Sequence, residues 1–151
     1  MLNRRQTLQH SWAVATLLGT AGLVPFKAIA YDKAAFEAKS VAAALKALGA
    51  SAPLASADVT LNGPEIADNG ASVLLSFGTT LPNVKRVLLL VEKNPAALVA
   101  NFQTSPVVDS QFSLRIKMSQ SSDVFAVAVT QDGKAYFAKR DIKVTLGGCG
   151  E

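Results

Sequence analysis

From Asp58 to Leu146 the sequence is cut by turn signals into apolar runs of strand length, and this punctuation constrains the fold more than any other feature. Val59-Thr60-Leu61 is stopped by Asn62-Gly63-Pro64, and Asp68-Asn69-Gly70 precedes a run from Ala71 to Phe77. Pro82-Asn83 opens Val84 to Val91, which Asn94-Pro95 closes. Within it Val87-Leu88-Leu89-Leu90-Val91 is apolar at every position, the pattern of a strand covered on both faces, so a central buried strand is predicted there. Leu98 to Phe102 is a weaker strand, limited by Pro106. Gln111 to Met118 alternates: Phe112, Leu114, Ile116 and Met118 face one way, and Gln111, Ser113, Arg115 and Lys117 the other. Asp123 to Thr130 is apolar again, and Gln131-Asp132-Gly133 turns it into Lys134 to Lys139 as a hairpin. Asp141 to Leu146 extends the chain further, with Ile142, Val144 and Leu146 on one face. About seven short strands with turns roughly every 8–12 residues predict a mainly β protein, an Ig-like antiparallel β-sandwich over residues 58–146.

Residues 31–57 read as an N-terminal helix and a connector. Asp32 to Leu48 is rich in Ala, Lys, Glu and Leu, and Ala34, Ala38, Val41, Leu45 and Leu48 form an apolar stripe at helical spacing. Asp32 is placed to cap its start, and Gly49 to take the left-handed position at its end. Phe36 lies off the stripe, available to a second chain or to another part of this one. The Ser/Ala stretch from Ala50 to Ala57, broken by Pro53, is the connector.

Residues 1–30 have the composition of an export signal. Arg4 and Arg5 precede an uncharged apolar run from Trp12 to Phe26, and Ala28-Ile29-Ala30 supplies the small-x-small cleavage pattern. The paired arginines predict the twin-arginine route, with the general secretory route as the alternative because Thr7 follows Arg5-Gln6 where Phe is usual. The apolar run is short of the ~20 residues of a bilayer span, so removal rather than membrane anchoring is expected. The mature chain, 31–151, is then expected in the periplasm. Arg4, Arg5 and Lys27 leave with the signal and take most of the formal charge of +4 with them. A body near neutrality gives no electrostatic case for nucleic acid. His10, the only histidine, and Trp12, the only tryptophan, leave too. Without histidine there is no Ser-His-Asp triad, no Cys-His pair and no ordinary zinc site, so neither a metal nor another cofactor is expected.

One cysteine remains, Cys149, third from the C-terminal residue, between Gly147-Gly148 and Gly150. An exported protein with one cysteine forms no internal disulfide, so the thiol is either reactive or bonded to another chain. Residues 147–151 are predicted to be a slim flexible arm, since the glycines carry no side chain to obstruct a narrow cleft. With the backbone held up to about Leu146, the thiol reaches roughly 10 Å beyond the body. No cation sits beside Cys149, and Glu151 adds a side chain and a terminal carboxylate, which disfavour thiolate. A catalytic cysteine normally has the opposite surroundings. The expectation is a carrier and not an enzyme.

Particular segments carry a likeness to a known family. They are Pro64-Glu65-Ile66-Ala67-Asp68-Asn69-Gly70-Ala71, Val91-Glu92-Lys93-Asn94-Pro95, Arg115-Ile116-Lys117-Met118, Asp132-Gly133-Lys134, and Val144-Thr145-Leu146-Gly147-Gly148-Cys149-Gly150. With these in register over nearly its whole length, the chain resembles the SoxY family, sulfur-carrier subunits of the periplasmic Sox system that oxidises thiosulfate and related reduced sulfur compounds. The resemblance implies a sandwich paired with a SoxZ subunit as a heterodimer, and covalent uptake of sulfur on Cys149. It further implies oxidative loading with thiosulfate by the c-type cytochrome SoxXA, release of sulfate by the manganese hydrolase SoxB, and SoxCD as an additional partner. The family usually ends in Gly-Gly-Cys-Gly-Gly, whereas this chain ends Cys149-Gly150-Glu151, which adds bulk and charge at the tip.

The competing reading is a periplasmic Ig-like interaction module in which Cys149 makes an intermolecular disulfide, because a sandwich fold does not specify function. Glu65, Asp68, Glu92 and Lys93 lie in or near turns, but no spacing pairs them as an acid and base. Phe36 and a free edge strand are candidate partner surfaces.

Overall fold

The structure, a computed structural model, describes residues 32–105, 107 and 109–145. Nine strands are seen among them: β1 (Leu54–Ala55), β2 (Val59–Asn62), β3 (Ile66–Ala67), β4 (Val73–Thr79), β5 (Val84–Val91), β6 (Leu98–Gln103), β7 (Gln111–Ile116), β8 (Ser122–Thr130) and β9 (Ala135–Val144). The larger sheet runs β1-β9-β8-β5-β6, with β3 also on β9, and faces a smaller sheet β2-β4-β7. The predicted sandwich is present. Asn83, at φ 55°, makes the turn into β5, and Gly133, at φ 84°, makes the β8–β9 hairpin, both where turn residues stand in the sequence.

The all-apolar run of β5 has a direct physical account. Val87, Leu89 and Val91 enter the core between the sheets, while Leu88 and Leu90 point the other way into a second core beneath the helices. The same division runs along β8, where Val124, Ala126 and Ala128 face the sandwich interior and Val127 and Val129 face the helices. The described part of the molecule therefore has three layers, with the larger sheet in the middle.

Three local expectations are corrected. Asp32 to Leu48 is two short helices, α1 (Lys33–Phe36) and α2 (Val41–Ala47), rather than one. The break is a tertiary contact: the Ala38 carbonyl accepts the Ala97 N–H at 2.9 Å, and Lys39 Nζ donates to the Pro95 carbonyl at 2.8 Å. Ser40 is extended there and its Oγ accepts the Ala43 N–H, capping α2. The Asp32 side chain makes no cap; its carbonyl accepts from Ala35 and Phe36, and its carboxylate lies 3.6 Å from Arg86. Because the break resets the helical phase, the buried stripe is Ala35, Ala38, Val41, Ala44 and Leu45; Ala34 is exposed and Leu48 half-buried. Gly49, at φ 67°, does end the second helix as expected. Phe36 is half-buried, packed against the helix-side core of this chain.

The second correction is that the connector contains β1, and that the stretch around Pro64–Asp68 contains β3. Both pair with β9 in parallel, so the sheet is not purely antiparallel. Leu54 and Ile66 point into solvent, which removed the burial pattern that would have marked these strands. Third, the stretches read as Lys134–Lys139 and Asp141–Leu146 join in one strand, β9 (Ala135–Val144), passing unbroken through Arg140, with Leu146 outside the described residues.

Candidate functional site: the root of the C-terminal segment

The end of β9 is tied down from two sides. On one side β3 lies parallel to it: Lys143 N–H donates to the Glu65 carbonyl (2.9 Å), Thr145 N–H to the Ala67 carbonyl (3.1 Å), and Thr145 Oγ1 to the Asp68 carbonyl (2.8 Å). On the other side Ser121 Oγ accepts the Val144 N–H at 2.8 Å. Ile142 is fully buried and Val144 packs against the sandwich core. Alternation along a strand thus fixes the side chains while the two flanking segments fix the backbone, as far as Thr145.

Those flanking segments are themselves cross-braced. Asn94 Nδ2 donates to the Lys117 carbonyl (2.9 Å) and its Oδ1 accepts the Ser119 N–H (3.1 Å). Ser122 Oγ accepts the Lys93 N–H (3.0 Å), and Met118 N–H donates to the Gly70 carbonyl (2.8 Å). Asn69 Oδ1 accepts the Ala71 N–H (2.8 Å), the side-chain-closed turn that the Asp-Asn-Gly sequence favours. Segments 64–71, 91–95 and 115–118 therefore meet at the same end of the sandwich as Thr145. Asp132-Gly133-Lys134 does not join them; it forms the hairpin at the far end of β8 and β9.

Charges gather along the outer part of β9. Lys139 pairs with Asp123 at 3.1 Å, while the Arg140 guanidinium stands 3.9 Å from Glu65. Lys143 makes no ion pair among the described residues. Of the acids and bases noted in turns, Asp68 and Lys93 serve here through their backbone groups, Glu65 through its carbonyl and the Arg140 contact. Among the described residues no three His, Cys, Asp or Glu side chains are grouped as metal ligands, and no helix is long and apolar enough to cross a membrane.

Cys149, Gly147, Gly148, Gly150 and Glu151 lie outside the described residues, as do Arg4, Arg5, Ala28 and Ala30. What sequence reasoning missed is the part played by β3 and Ser121 in holding the root. A two-residue strand with one exposed side chain leaves no periodicity to detect, and a serine accepting one backbone N–H has no sequence signature.

Residues 44–149 match the family described as "Sulfur oxidation protein SoxY", and the match ends on Cys149. Among solved structures, the sulfur carrier protein SoxY from Chlorobium limicola f thiosulfatophilum is similar at 30% identity and TM-score 0.63, covering 71% of this chain and 97% of that one. A superoxide reductase (neelaredoxin) from Ignicoccus hospitalis shares the fold at 12% identity and TM-score 0.51, covering 57% of this chain and 78% of that one. No curated protein matches the sequence.

Proposed function

Because the chain belongs to the SoxY family of sulfur oxidation proteins, we propose that it carries sulfur covalently on the thiol of Cys149, on an arm formed by Gly147, Gly148, Cys149, Gly150 and Glu151. A carrier role in sulfur oxidation comes with the family; the bond to Cys149 is the finer step. The observation that carries it is the family match running to the chain's single cysteine, four residues beyond a backbone held through Thr145. A fixed root with a short glycine tether presents a thiol to a narrow active site while the body stays outside.

The chemistry needs partners, since this chain has no histidine outside residue 10 to act as a base. In loading, the thiol loses its proton and thiosulfate joins through a new S–S bond, with an electron pair leaving to the c-type cytochrome SoxXA. The product is an S-thiosulfonate on Cys149. Water then attacks the terminal sulfonate sulfur under the manganese hydrolase SoxB, sulfate and protons depart, and a persulfide stays on Cys149 for SoxCD. A SoxZ-like subunit completes the carrier as a heterodimer. Export by the twin-arginine route, with removal of residues 1–30 after Ala30, puts it in the periplasm. The carrier itself is not a catalyst and uses no cofactor.

Intact mass spectrometry of the mature chain after exposure to thiosulfate and the partner enzymes tests this. An adduct on Cys149 is expected, and Cys149→Ser should lose both adduct and turnover at an unchanged melting temperature. Sustained turnover by Cys149→Ser would overturn the reading.

A further inference from the structure

The sequence holds two Asn-Gly pairs, Asn62-Gly63 and Asn69-Gly70, and the fold treats them differently. In such a pair the asparagine carboxamide is open to attack by its own backbone, because glycine brings no side chain to shield the next nitrogen. Both asparagines are exposed, so access of water does not separate them. Asn62 is the last residue of β2 and pairs with Ser76 of β4, so the ladder holds its backbone extended. Gly63 beyond it is packed so closely that an added Cβ would meet the Leu75 side chain, and Pro64 restricts its backbone further. Asn69, by contrast, belongs to no strand or helix. Its Oδ1 accepts the Ala71 N–H at 2.8 Å, and a turn closed in this way folds the carboxamide carbon back over the intervening nitrogen, that of Gly70. The Gly70 N–H donates to no acceptor among the described residues, so nothing there competes for that nitrogen. The Ala71 N–H also points at Oδ1, the atom on which charge gathers when the carbon is attacked.

We propose that Asn69 is a site of self-modification: its side chain cyclises on Gly70 and reopens as aspartate or isoaspartate, while Asn62 is spared. The Gly70 nitrogen gives up its proton and bonds to Asn69 Cγ, the Cγ–Nδ2 bond breaks, and ammonia leaves with the proton. The product is a succinimide ring. Water then opens the ring at one of its two carbonyls. Breaking the new bond leaves an aspartate on the original main chain; breaking the old peptide bond leaves an isoaspartate, whose main chain runs through Cβ. No oxidant, reductant or second protein takes part, and the inference does not depend on the sulfur chemistry. The position of the pair gives the change a consequence. Just before it, the Ala67 carbonyl accepts the Thr145 N–H (3.1 Å) and the Asp68 carbonyl accepts Thr145 Oγ1 (2.8 Å). Just after it, the Gly70 carbonyl accepts the Met118 N–H (2.8 Å). An isoaspartate inserts one more carbon, ~1.5 Å of main chain, between these anchors, and the two sets of bonds cannot both keep their lengths. The end of β9 is thereby loosened on its β3 side, and a negative charge is gained beside Asp68.

The test uses the mature chain, incubated folded or in urea at mildly alkaline pH, where the Gly70 amide is more readily deprotonated. Peptide mapping by mass spectrometry follows each asparagine, and an isoaspartate-specific methyltransferase assay identifies the product. In the folded chain Asn69 should lose its amide on the order of 10–100 times faster than Asn62, the scale on which a near-attack geometry matters. In urea the two rates should converge, since the ladder around Asn62 is gone. The aged, isoaspartate-containing fraction should show faster hydrogen exchange at Thr145 and Met118, with the β5–β8 ladder unchanged. Freshly made Asn69→Asp supplies the charge without the extra carbon and should keep the native exchange. Asn69→Ser, which has no carboxamide to lose, should keep it after the same incubation. Equal rates at Asn62 and Asn69 in the folded chain, or an Asn69 that survives when folded and converts only in urea, would overturn the site. Isoaspartate-containing chains with native protection at Thr145 and Met118 would overturn the consequence for β9.

Discussion

At the scale of single residues, two carboxylates behave differently for reasons of position. Asp132, in the β8–β9 hairpin, is drawn down to about 2, first by the hydrogen bond from the Thr130 hydroxyl and then by Lys134. A depressed carboxyl contributes to stability above its unfolded value, and that contribution disappears as pH falls through about 2. Its titration, followed by nuclear magnetic resonance, should have its midpoint near that value and move upward in Thr130→Val. Sulfur loading should be indifferent to this change, since the hairpin lies at the opposite end of β9 from Thr145. Glu151, two residues after Cys149 in the sequence, adds a negative charge beside the proposed loading site. At ~10 Å in water one charge repels the thiosulfate dianion by about 0.8 kcal/mol, roughly a fourfold effect on rate before screening by salt. Glu151→Gly should therefore load with thiosulfate about four times as fast at low ionic strength. Equal rates for the two proteins would count against a role for that carboxylate.

Among the elements, the most consequential are those that brace β9. Ser121→Ala removes the acceptor for the Val144 N–H, a loss of about 1 kcal/mol. Hydrogen exchange should quicken at Val144 and neighbouring amides while the β5–β8 ladder keeps its protection; a change spread over the whole sheet would contradict a local brace. In the smaller sheet Gly78 of β4 lies opposite Gln111 of β7. A Cβ at Gly78 would collide with the Ser110 carbonyl, which already accepts the Thr79 N–H at 3.0 Å and cannot retreat without breaking that bond. Gly78→Ala should cost about 1–3 kcal/mol in denaturant unfolding. The strands that were legible in the sequence are those with a buried face: β4, β5, β7 and β8 each show their burial pattern in the order of residues. β1 and β3 were not legible, because each exists through backbone bonds to β9, whose register no local pattern of two residues encodes.

For the described molecule as a whole, β5 and β8 are shared property, since each gives one face to the sandwich core and the other to the helix-side core. Leu88 and Leu89, adjacent in sequence and both fully buried, therefore belong to different cores. Leu88→Ala and Leu89→Ala should each lose about 2–5 kcal/mol. Helical circular dichroism and near-ultraviolet signals should disappear together in both variants, because neither core survives without the strand between them. Separate transitions in Leu88→Ala would mean that α1 and α2 dock independently of the sandwich.

By itself the order of residues determined the mainly β architecture, the central place of Val84–Val91, the hairpin at Gln131–Gly133 and the selection of Cys149 as the one thiol. These follow from side-chain periodicity, turn chemistry and composition, which act over a few neighbouring positions. Only the tertiary structure decided that the helical segment breaks at Ala38 to meet Ala97, that Phe36 packs against the helix-side core, and that residues 65–68 and Ser121 hold the end of β9 from both sides. Each of these depends on a backbone or side-chain contact between segments distant in the chain, where the geometry of the whole sheet sets which groups meet.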